Sequence, residues 1–420
     1  MNVLIFGLGN HKGGYSAARY YLSRGDSVRV TDLREEAYLK PDVDTLKRLG
    51  ASFTLTRHDK SDFEWADLVI KNPAVAQNNP FLTMAKNIST DIIELCLAAG
   101  KRNNVHLIGI TGTKGKSSTA HTIYHQLLCH KEKALLCGNI GISAFTIIDQ
   151  VLQNRGDPLY IVMELSSWQI HDLYTFLPGE RPLFHSLILT SLYPDHLDAY
   201  ASTESYYRDK MLLFDFPGSH LFMAAQSIKA LEDLNIPHPS NIRIVDSNSA
   251  LITAVLTEFG LSEQSIRESY RKIPHLPHRK EIVRTTGKVT WINDSSATIP
   301  QASDYSVRTL DFPYILICGG SEKNSEIPLF HDALTGASHL ILIEGTFTRS
   351  RLLPYITSLA LPFSGPYSDM TTIVKEASEI ANRDGRKITV ILSPGAASFG
   401  PFRNSDDRGR QFTECVGRLL

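Results

Sequence analysis

The sequence predicts an α/β protein of more than one domain, and three observations carry that reading. The chain has 420 residues, too many for one ordinary core, so two or three domains are expected. Apolar β-runs alternate with helical stretches, the rhythm of parallel sheets covered by helices. Several β-runs end in glycine or small polar residues, and ligands of open α/β sheets sit at such strand ends.

The elements follow in order. In residues 1–93, "NVLIFGLG" reads as a strand and "SAARYYLSRG" as a helix ending at Gly25. "SVRVTD" and "ADLVIKNPAV" read as further strands, and the segment closes near the helix "STDIIELCLAAGKRNN". In residues 94–277, "VHLIGITGTKGKSS" is a strand entering a glycine loop, with a helix from about Ser117. "LYIVMEL" and "HSLILTSL" are buried-strand candidates, and the proline-rich "IPHLPHR", Ile273 to Arg279, reads as a linker. In residues 278–420, "VTWINDS", "YILICGGSEK", "HLILIEG" and "ITVILSPGAASFG" are β-runs with small or polar ends.

Composition bounds the function. The chain is 42% hydrophobic and 21% charged with net charge −1. That balance argues against a nucleic-acid partner or a membrane surface bound by bulk electrostatics. No apolar run reaches the length of a membrane span, so no membrane insertion is expected. The apolar N-terminus lacks a basic n-region and reads as a buried strand, not a signal peptide. Five scattered cysteines without a C-x-x-C fit reduced thiols in a cytoplasmic protein.

The most informative stretch is "GITGTKGKSSTA", Gly109 to Ala120. It departs from G-x-x-x-x-G-K-[ST], because the first glycine falls one residue early and Gly112 sits inside the loop. Gly109, Gly112 and Gly115 let backbone N–H groups converge on phosphate oxygens. Lys116 would reach the β- and γ-phosphates, the Ser117 hydroxyl would meet Mg²⁺, and the helix N-terminus adds favourable partial charge. Glu164 ends an apolar run in "VMELSSWQ", as a metal-facing carboxylate or as a member of a structural ion pair. In "TSLYPDHLDAY", Asp195, His196 and Asp198 fit either a metal or anion site or a capped helix start. "GLGNHKGG" matches a dinucleotide loop at Gly7 and Gly9, but Lys12 occupies the third glycine position; Asp32 ends the second strand, where a carboxylate accepts from a ribose hydroxyl.

Taken in order, "TGTKGKSS", "GNIG", "ELSSWQ", "DHLD", "YYRDK", "LPHR" and "LSPGAASFGPFRNSDDRGRQF" resemble the Mur ligase family, ATP-dependent enzymes that build the peptide stem of cell-wall precursors. The offset glycine belongs to that family's loop. The resemblance spans essentially the whole chain, and its C-terminal motif is most like the branch that adds D-glutamate. It implies a Rossmann-like domain (1–93) for the uridine nucleotide, a central P-loop ATPase-like domain (94–277) for ATP, and a Rossmann-like C-terminal domain (278–420) for the amino acid. It implies UDP-N-acetylmuramoyl-L-alanine and D-glutamate as substrates, ATP and Mg²⁺ as cofactors, and a cytoplasmic monomer.

The same resemblance assigns roles. Gly112, Thr113, Lys114, Gly115, Lys116, Ser117 and Ser118 would hold the phosphates. Ser117 and Glu164 would hold one Mg²⁺, and His196 would serve a second. Lys210 matches a lysine that the family carbamylates into an anionic metal ligand; by itself it reads as a solvated helix lysine. Lys116, His196 and Lys210 form the implied catalytic set. Arg279 and Asp294 match positions that contact ATP. Asp32, Arg34 and Asn139 match the UDP-sugar side, with Ser166 and Gln169 also on substrate. Thr298, Lys323 and Ser398 match the D-glutamate site. Four positions depart from the family pattern: Ser296 replaces a lysine, Ser249 stands where an asparagine opens an adenine-contacting helix, Gly400 replaces an aspartate, and "GLGNHKGG" is expanded. Rival readings are a related amide ligase with another acceptor, a P-loop ATPase switch, and a nicotinamide dehydrogenase that leaves the central motifs unused.

Overall fold

A computed structural model describes residues 1–9, 12–177, 179–196, 199–310, 313–322 and 326–419. Its strands form three sheets. The first holds β1 (Asn2–Phe6), β2 (Ser27–Asp32), β3 (Ser52–Leu55), β4 (Leu68–Lys71) and β5 (Ile88–Ser89) in the order β3-β2-β1-β4-β5, all parallel. The second holds β6 (Val105–Thr111), β7 (Lys133–Gly138), β8 (Leu159–Glu164), β9 (Phe184–Leu189), β10 (Gly218–Ala224) and β11 (Arg243–Val245) in the order β11-β10-β9-β6-β8-β7, again all parallel. The third holds β12 (Glu281–Thr286), β13 (Val289–Asn293), β14 (Tyr314–Gly319), β15 (His339–Ile343), β16 (Phe363–Tyr367) and β17 (Ile388–Leu392) in the order β12-β13-β17-β14-β15-β16. Only its edge pair β12–β13 is antiparallel.

The chain divides into two compact units. The first comprises Met1–Tyr193 with Glu204–Ile273 and carries the first two sheets; the second comprises Pro194–Thr203 with Pro274–Leu420 and carries the third. The fold is therefore α/β, built on largely parallel sheets. Among the described residues, no helix is long and apolar enough to cross a membrane.

The central strands are apolar on both faces because helices cover both. In the second sheet, Ile108, Ile110, Val162 and Ile188 pack with Ala120, Ile123 and Leu127 of the helix Lys116–Cys129 and with Leu251 and Val255 of the helix Asn248–Glu258. Helix Gly13–Leu22 runs close against the first sheet, since a Cβ on Gly14 would stand 2.4 Å from the Gly7 carbonyl oxygen. That is the packing role of the third glycine in a dinucleotide loop. The expectation that Lys12 sits at that position is thus corrected: Gly14 supplies it, after a longer loop.

One contact inside the first unit was not foreseeable from local pattern. Lys71, the last residue of β4, donates Nζ to Asp172 Oδ2 at 2.6 Å, and both side chains are fully buried. Asp172 lies on the helix Ser167–Phe176, 101 positions along the chain. Burial pushes its carboxyl above the ordinary range, against the pull of Lys71. Removing one partner of such a pair costs about 3–5 kcal/mol, because the other charge stays buried.

At the opposite edge of the second sheet, near the starts of β6, β9 and β10, three imidazoles cluster. The ring of His185 lies 5.5 Å from that of His106, 5.0 Å from His220 and 4.6 Å from Phe259. Tyr160 stacks on His106, and Glu258 faces His220 at 3.3 Å while also pairing with Arg243. Burial first, then the neighbouring imidazoles, push the His185 pKa from 6.5 down to about 4, with Glu258 opposing. A depressed folded-state pKa means the neutral ring stabilises the fold above the unfolded value. That contribution disappears as pH falls through 6.5 towards 4. The thermal midpoint, followed by circular dichroism, is expected to drop across this window, and His185→Phe is expected to flatten part of the drop. An unchanged slope in the folded variant would contradict the assignment.

Candidate active site

The site is built on the adjacent strands β6 and β8. Their register sets Ile110 opposite Glu164, so the glycine loop after β6 and the carboxylate ending β8 emerge from one sheet edge. The loop closes tightly. Gly112 has φ +139° and its Cβ would stand 2.1 Å from Thr190 Oγ1; Gly115 has φ +88° and its Cβ would stand 2.5 Å from Asn248 Nδ2. Only glycine tolerates both the backbone conformation and the crowding. The helix Lys116–Cys129 starts directly after, with Lys116 and Ser117 in its first turn. Lys116 Nζ donates to the carbonyls of Gly112 (2.9 Å) and Thr113 (3.1 Å).

A strap behind the loop was missed from sequence. Thr190 Oγ1 donates to the Lys114 carbonyl at 2.6 Å, and Ser191 Oγ donates to the same oxygen at 2.8 Å. Thr113 Oγ1 donates to the Tyr193 carbonyl at 3.0 Å. The signal lay in "TSLY", whose hydroxyls were passed over for the acidic residues that follow. The residue before Ser249 covers the loop. Asn248 opens the helix Asn248–Glu258 and lies over Gly115, one residue before the exposed Ser249.

Glu164 is buried at 1% exposure. Its Oε1 accepts from Asn139 Nδ2 at 2.9 Å, while its Oε2 is buried with no hydrogen-bond partner among the described residues. A buried carboxylate oxygen without a partner is costly unless a cation meets it. Mg²⁺ takes one or two carboxylates and completes its octahedron with phosphate oxygens and water. The glycine cradle, the Ser117 hydroxyl and this oxygen therefore fit a Mg²⁺–triphosphate. Among the described residues, no group of three or more His, Cys, Asp or Glu is placed to hold a metal ion. Asn139, assigned to the sugar side, here orients Glu164. Ser166 and Gln169 form a capping box at the start of the helix Ser167–Phe176: Gln169 N donates to Ser166 Oγ, and Ser166 N donates to Gln169 Oε1.

Lys210 lies near the end of the helix Thr203–Met211 at 1% exposure, with Nζ 4.4 Å from the centre of the Tyr206 ring. The solvated-lysine reading therefore fails. Its neighbour Asp209 bonds His171 Nδ1 at 3.1 Å, and that hydrogen bond raises the His171 pKa. His196 has φ +57°, and its N–H donates to Asp195 Oδ1 at 2.9 Å. Asp195 thus satisfies a backbone N–H, and the next helix among the described residues starts at Thr203. Asp198 lies outside the described residues. His196 belongs to the second unit, whereas Glu164 and Lys210 belong to the first.

The first sheet carries a separate cleft of about 470 Å³, lined by Gly7, Gly9, Asp32, Arg34, His58 and Asn72 among others. Asp32 Oδ2 accepts from the Leu8 N–H at 2.9 Å and from Arg34 Nη2 at 2.7 Å, and Oδ1 accepts from Arg34 Nε at 2.9 Å. Burial opposes ionisation of Asp32, but the Arg34 contacts and the two backbone N–H groups hold its carboxyl below the usual range.

In the second unit, β13 and β17 end side by side, with Asn293 opposite Leu392. Asp294 Oδ2 accepts from Ser393 Oγ at 2.8 Å, and burial raises its pKa against these hydrogen bonds. Arg279 sits between His278 (φ +60°) and Lys280 (φ +49°), two residues in left-handed backbone. Ser296 Oγ donates to the His278 carbonyl at 2.8 Å, so the serine that departs from the family lysine closes this loop. Arg408, fully buried, donates to Ser295 Oγ (3.0 Å), Ser295 O (2.9 Å) and Ala396 O (3.3 Å). It ties the two strand-end loops that carry Asp294 with the half-buried Thr298, and the buried Ser398. Ser321 and Ala397 exchange backbone hydrogen bonds, which brings the "GGS" loop beside Ser398; Lys323 lies outside the described residues. Gly400, at φ +108°, occupies backbone that an aspartate would strain.

Comparison with known proteins places the chain in a family. The family described as "Mur ligase MurD-like, N-terminal domain" matches residues 1–94, and "Mur ligase middle domain" matches residues 110–236. Proteins named UDP-N-acetylmuramoylalanine--D-glutamate ligase are similar along their whole length. That of Roseiflexus sp. is 29% identical over 98% of this chain and 97% of its own, and that of Borreliella afzelii is 29% identical over 100% and 98%. That of Treponema pallidum is 26% identical over 99% and 97%. Among solved structures, UDP-N-acetylmuramate-alanine ligase MurC of Thermotoga maritima superposes with a TM-score of 0.63 at 15% identity, covering 99% of both chains. MurF ligase of Thermotoga maritima in complex with ADP gives 0.55 at 13% identity, over 93% of this chain and 94% of its own. With both family descriptions matched in order along the first two sheets, and relatives aligned from end to end, the chain belongs to the Mur ligase family.

Proposed function

We propose that the chain is an ATP-dependent ligase that joins D-glutamate to UDP-N-acetylmuramoyl-L-alanine in the synthesis of peptidoglycan precursors. The observation that carries this reading is the glycine cradle beside a buried Glu164 oxygen with no hydrogen-bond partner among the described residues, in a chain aligned end to end with relatives of that name. We divide the work among residues 1–93 for the uridine nucleotide, 94–277 for ATP and 278–420 for the amino acid. Unpaired cysteines and the want of a long apolar helix among the described residues support a cytoplasmic enzyme, which we take to act as a monomer.

Phosphorylation of the alanyl carboxylate by ATP gives an acyl phosphate, and the amine of D-glutamate displaces phosphate. Both reacting groups in the first step are anionic, so their approach needs compensating charge. Lys116 supplies a fixed ammonium, and the loop N–H groups with the helix N-terminus supply oriented dipoles. Mg²⁺, held by Ser117, Glu164 and phosphate oxygens, would neutralise the remaining charge. Asn139 holds the Glu164 carboxylate in one orientation. Asp32 and Arg34 receive the nucleotide end of the UDP-sugar. A carbamylated Lys210 would be an anionic metal ligand in place of a buried cation, and His196 would serve the second metal. Arg279 and Asp294 would contact ATP. Thr298, Lys323 and Ser398 would receive the two carboxylates of D-glutamate.

The test of the function is ADP release with UDP-N-acetylmuramoyl-L-alanine while D-glutamate, L-glutamate, L-alanine and meso-diaminopimelate are offered in turn. Release only with D-glutamate is expected. Preference for another acceptor would move the chain to a different branch, and release without any acceptor would favour an ATPase switch.

Two variants probe the chemistry. Lys116→Ala is expected to stay folded and to lose roughly 10²–10³-fold or more in kcat, since its charge acts most strongly in the transition state. Near-normal turnover by the folded variant would sink the ATP assignment. Lys210→Ala is expected to be nearly inactive, losing more than the roughly 10–100-fold that removal of a metal ligand's outer-shell partner costs. Formate or acetate at high concentration should restore part of that activity, and ordinary activity without rescue agent would refute the role.

A further inference from the structure

Adjacent residues of the helix Ser167–Phe176 grip two different elements. His171 Nδ1 meets Asp209 Oδ1 at 3.1 Å, one residue before Lys210. Asp172 Oδ2 meets Lys71 Nζ at 2.6 Å with both side chains fully buried. The helix itself starts from the Ser166 capping box, two residues after Glu164. Lys71 in turn precedes Asn72. The Asn72 N–H donates to the Phe6 carbonyl at 3.0 Å, and its side chain fills the space beside Gly9 in the wall of the first-sheet cleft.

The pair behaves as one directed tether. The second carboxylate oxygen, Asp172 Oδ1, is buried with no hydrogen-bond partner among the described residues, so Lys71 alone orients the carboxylate. Asp91, half-buried, lines a small cavity that Lys71 also lines. An isolated buried ion pair adds little stability over a well-packed apolar pair of similar volume. What it adds is a fixed distance and direction between two backbones. Here those backbones are the strand that walls the nucleotide cleft and the helix that leaves the phosphate site.

We infer that Lys71 and Asp172 are positioning residues: their buried ion pair sets the spacing between the UDP-sugar cleft of the first sheet and the phosphoryl-transfer site of the second. This rests on the ligase reading above. A substrate held by its nucleotide end at one sheet must present its carboxylate at the other, and an error of about 1 Å in such placement costs on the order of 10²-fold in rate.

The test uses the full chain and the double variant Lys71→Met/Asp172→Leu, which removes the pair without leaving a lone buried charge. Circular dichroism should find it folded. Its KM for ATP should stay within about twofold of wild type while kcat falls about tenfold or more, because binding at either sheet is intact and alignment is not. Asp172→Asn, matched in shape and still able to accept from Lys71, is the second variant and should fall in between. Asp172→Glu, which restores the charge pair, should recover more activity than the double variant. A wild-type chain without D-glutamate-dependent ADP release would overturn the function and this inference with it. An active wild type with unchanged kcat in the folded double variant overturns the inference alone. If the double variant does not fold, unchanged kcat in Asp172→Asn has the same force.

Discussion

The arrangement depends on one constraint, the parallel pairing of β6 with β8 in a register that sets Ile110 opposite Glu164. Parallel strands bring their carboxyl ends to the same edge, so whatever follows each strand meets there. After β6 comes the glycine loop; after β8 comes a carboxylate, then a capped helix. A slip of one residue would turn Glu164 to the other face of the sheet. The flanking elements serve this edge. The end of β9 supplies the hydroxyls that strap the loop, and the end of β7 supplies Asn139. Asn248 covers Gly115 from a helix more than a hundred residues downstream.

Much of this was legible in sequence, for a physical reason. Phosphate loops and strand-end carboxylates are local: spacing alone puts Lys116 and Ser117 at a helix start, and an apolar run ending in Glu164 puts a charge where one is expensive. Most buried central strands were equally clear, because both faces are apolar; β10, which begins in half-exposed residues, was not read. The edges were not. β3, β11, β12 and β16 are short or largely exposed and blend into polar surroundings, and β7 begins at an exposed lysine.

What stayed hidden was whatever depends on two distant segments meeting. The partner of Lys71 could not be read from its neighbours, nor could the burial of Lys210, which local pattern makes a surface lysine. Asn139 was legible as a polar residue beside a catalytic motif, but its bond to Glu164 is a fact of packing; the Ser166–Gln169 capping box, by contrast, is local. The third-glycine role passed from position 12 to Gly14 because a loop of different length reaches the same close approach of helix to strand. That Asn248, one residue before Ser249, covers Gly115 is likewise a contact between distant segments.

The grip of Lys116 on its own loop has a thermodynamic consequence. The ammonium already has two acceptors, the Gly112 and Thr113 carbonyls. Incoming phosphate oxygens must therefore compete with ligands the protein supplies itself, and the net enthalpy of nucleotide capture is a difference between two sets of charged hydrogen bonds. In exchange, these bonds fix the loop before nucleotide arrives, which limits the ordering entropy lost on binding. The lysine thus acts as a placeholder for its own substrate: it moderates affinity for the nucleotide while keeping the loop ready to receive it.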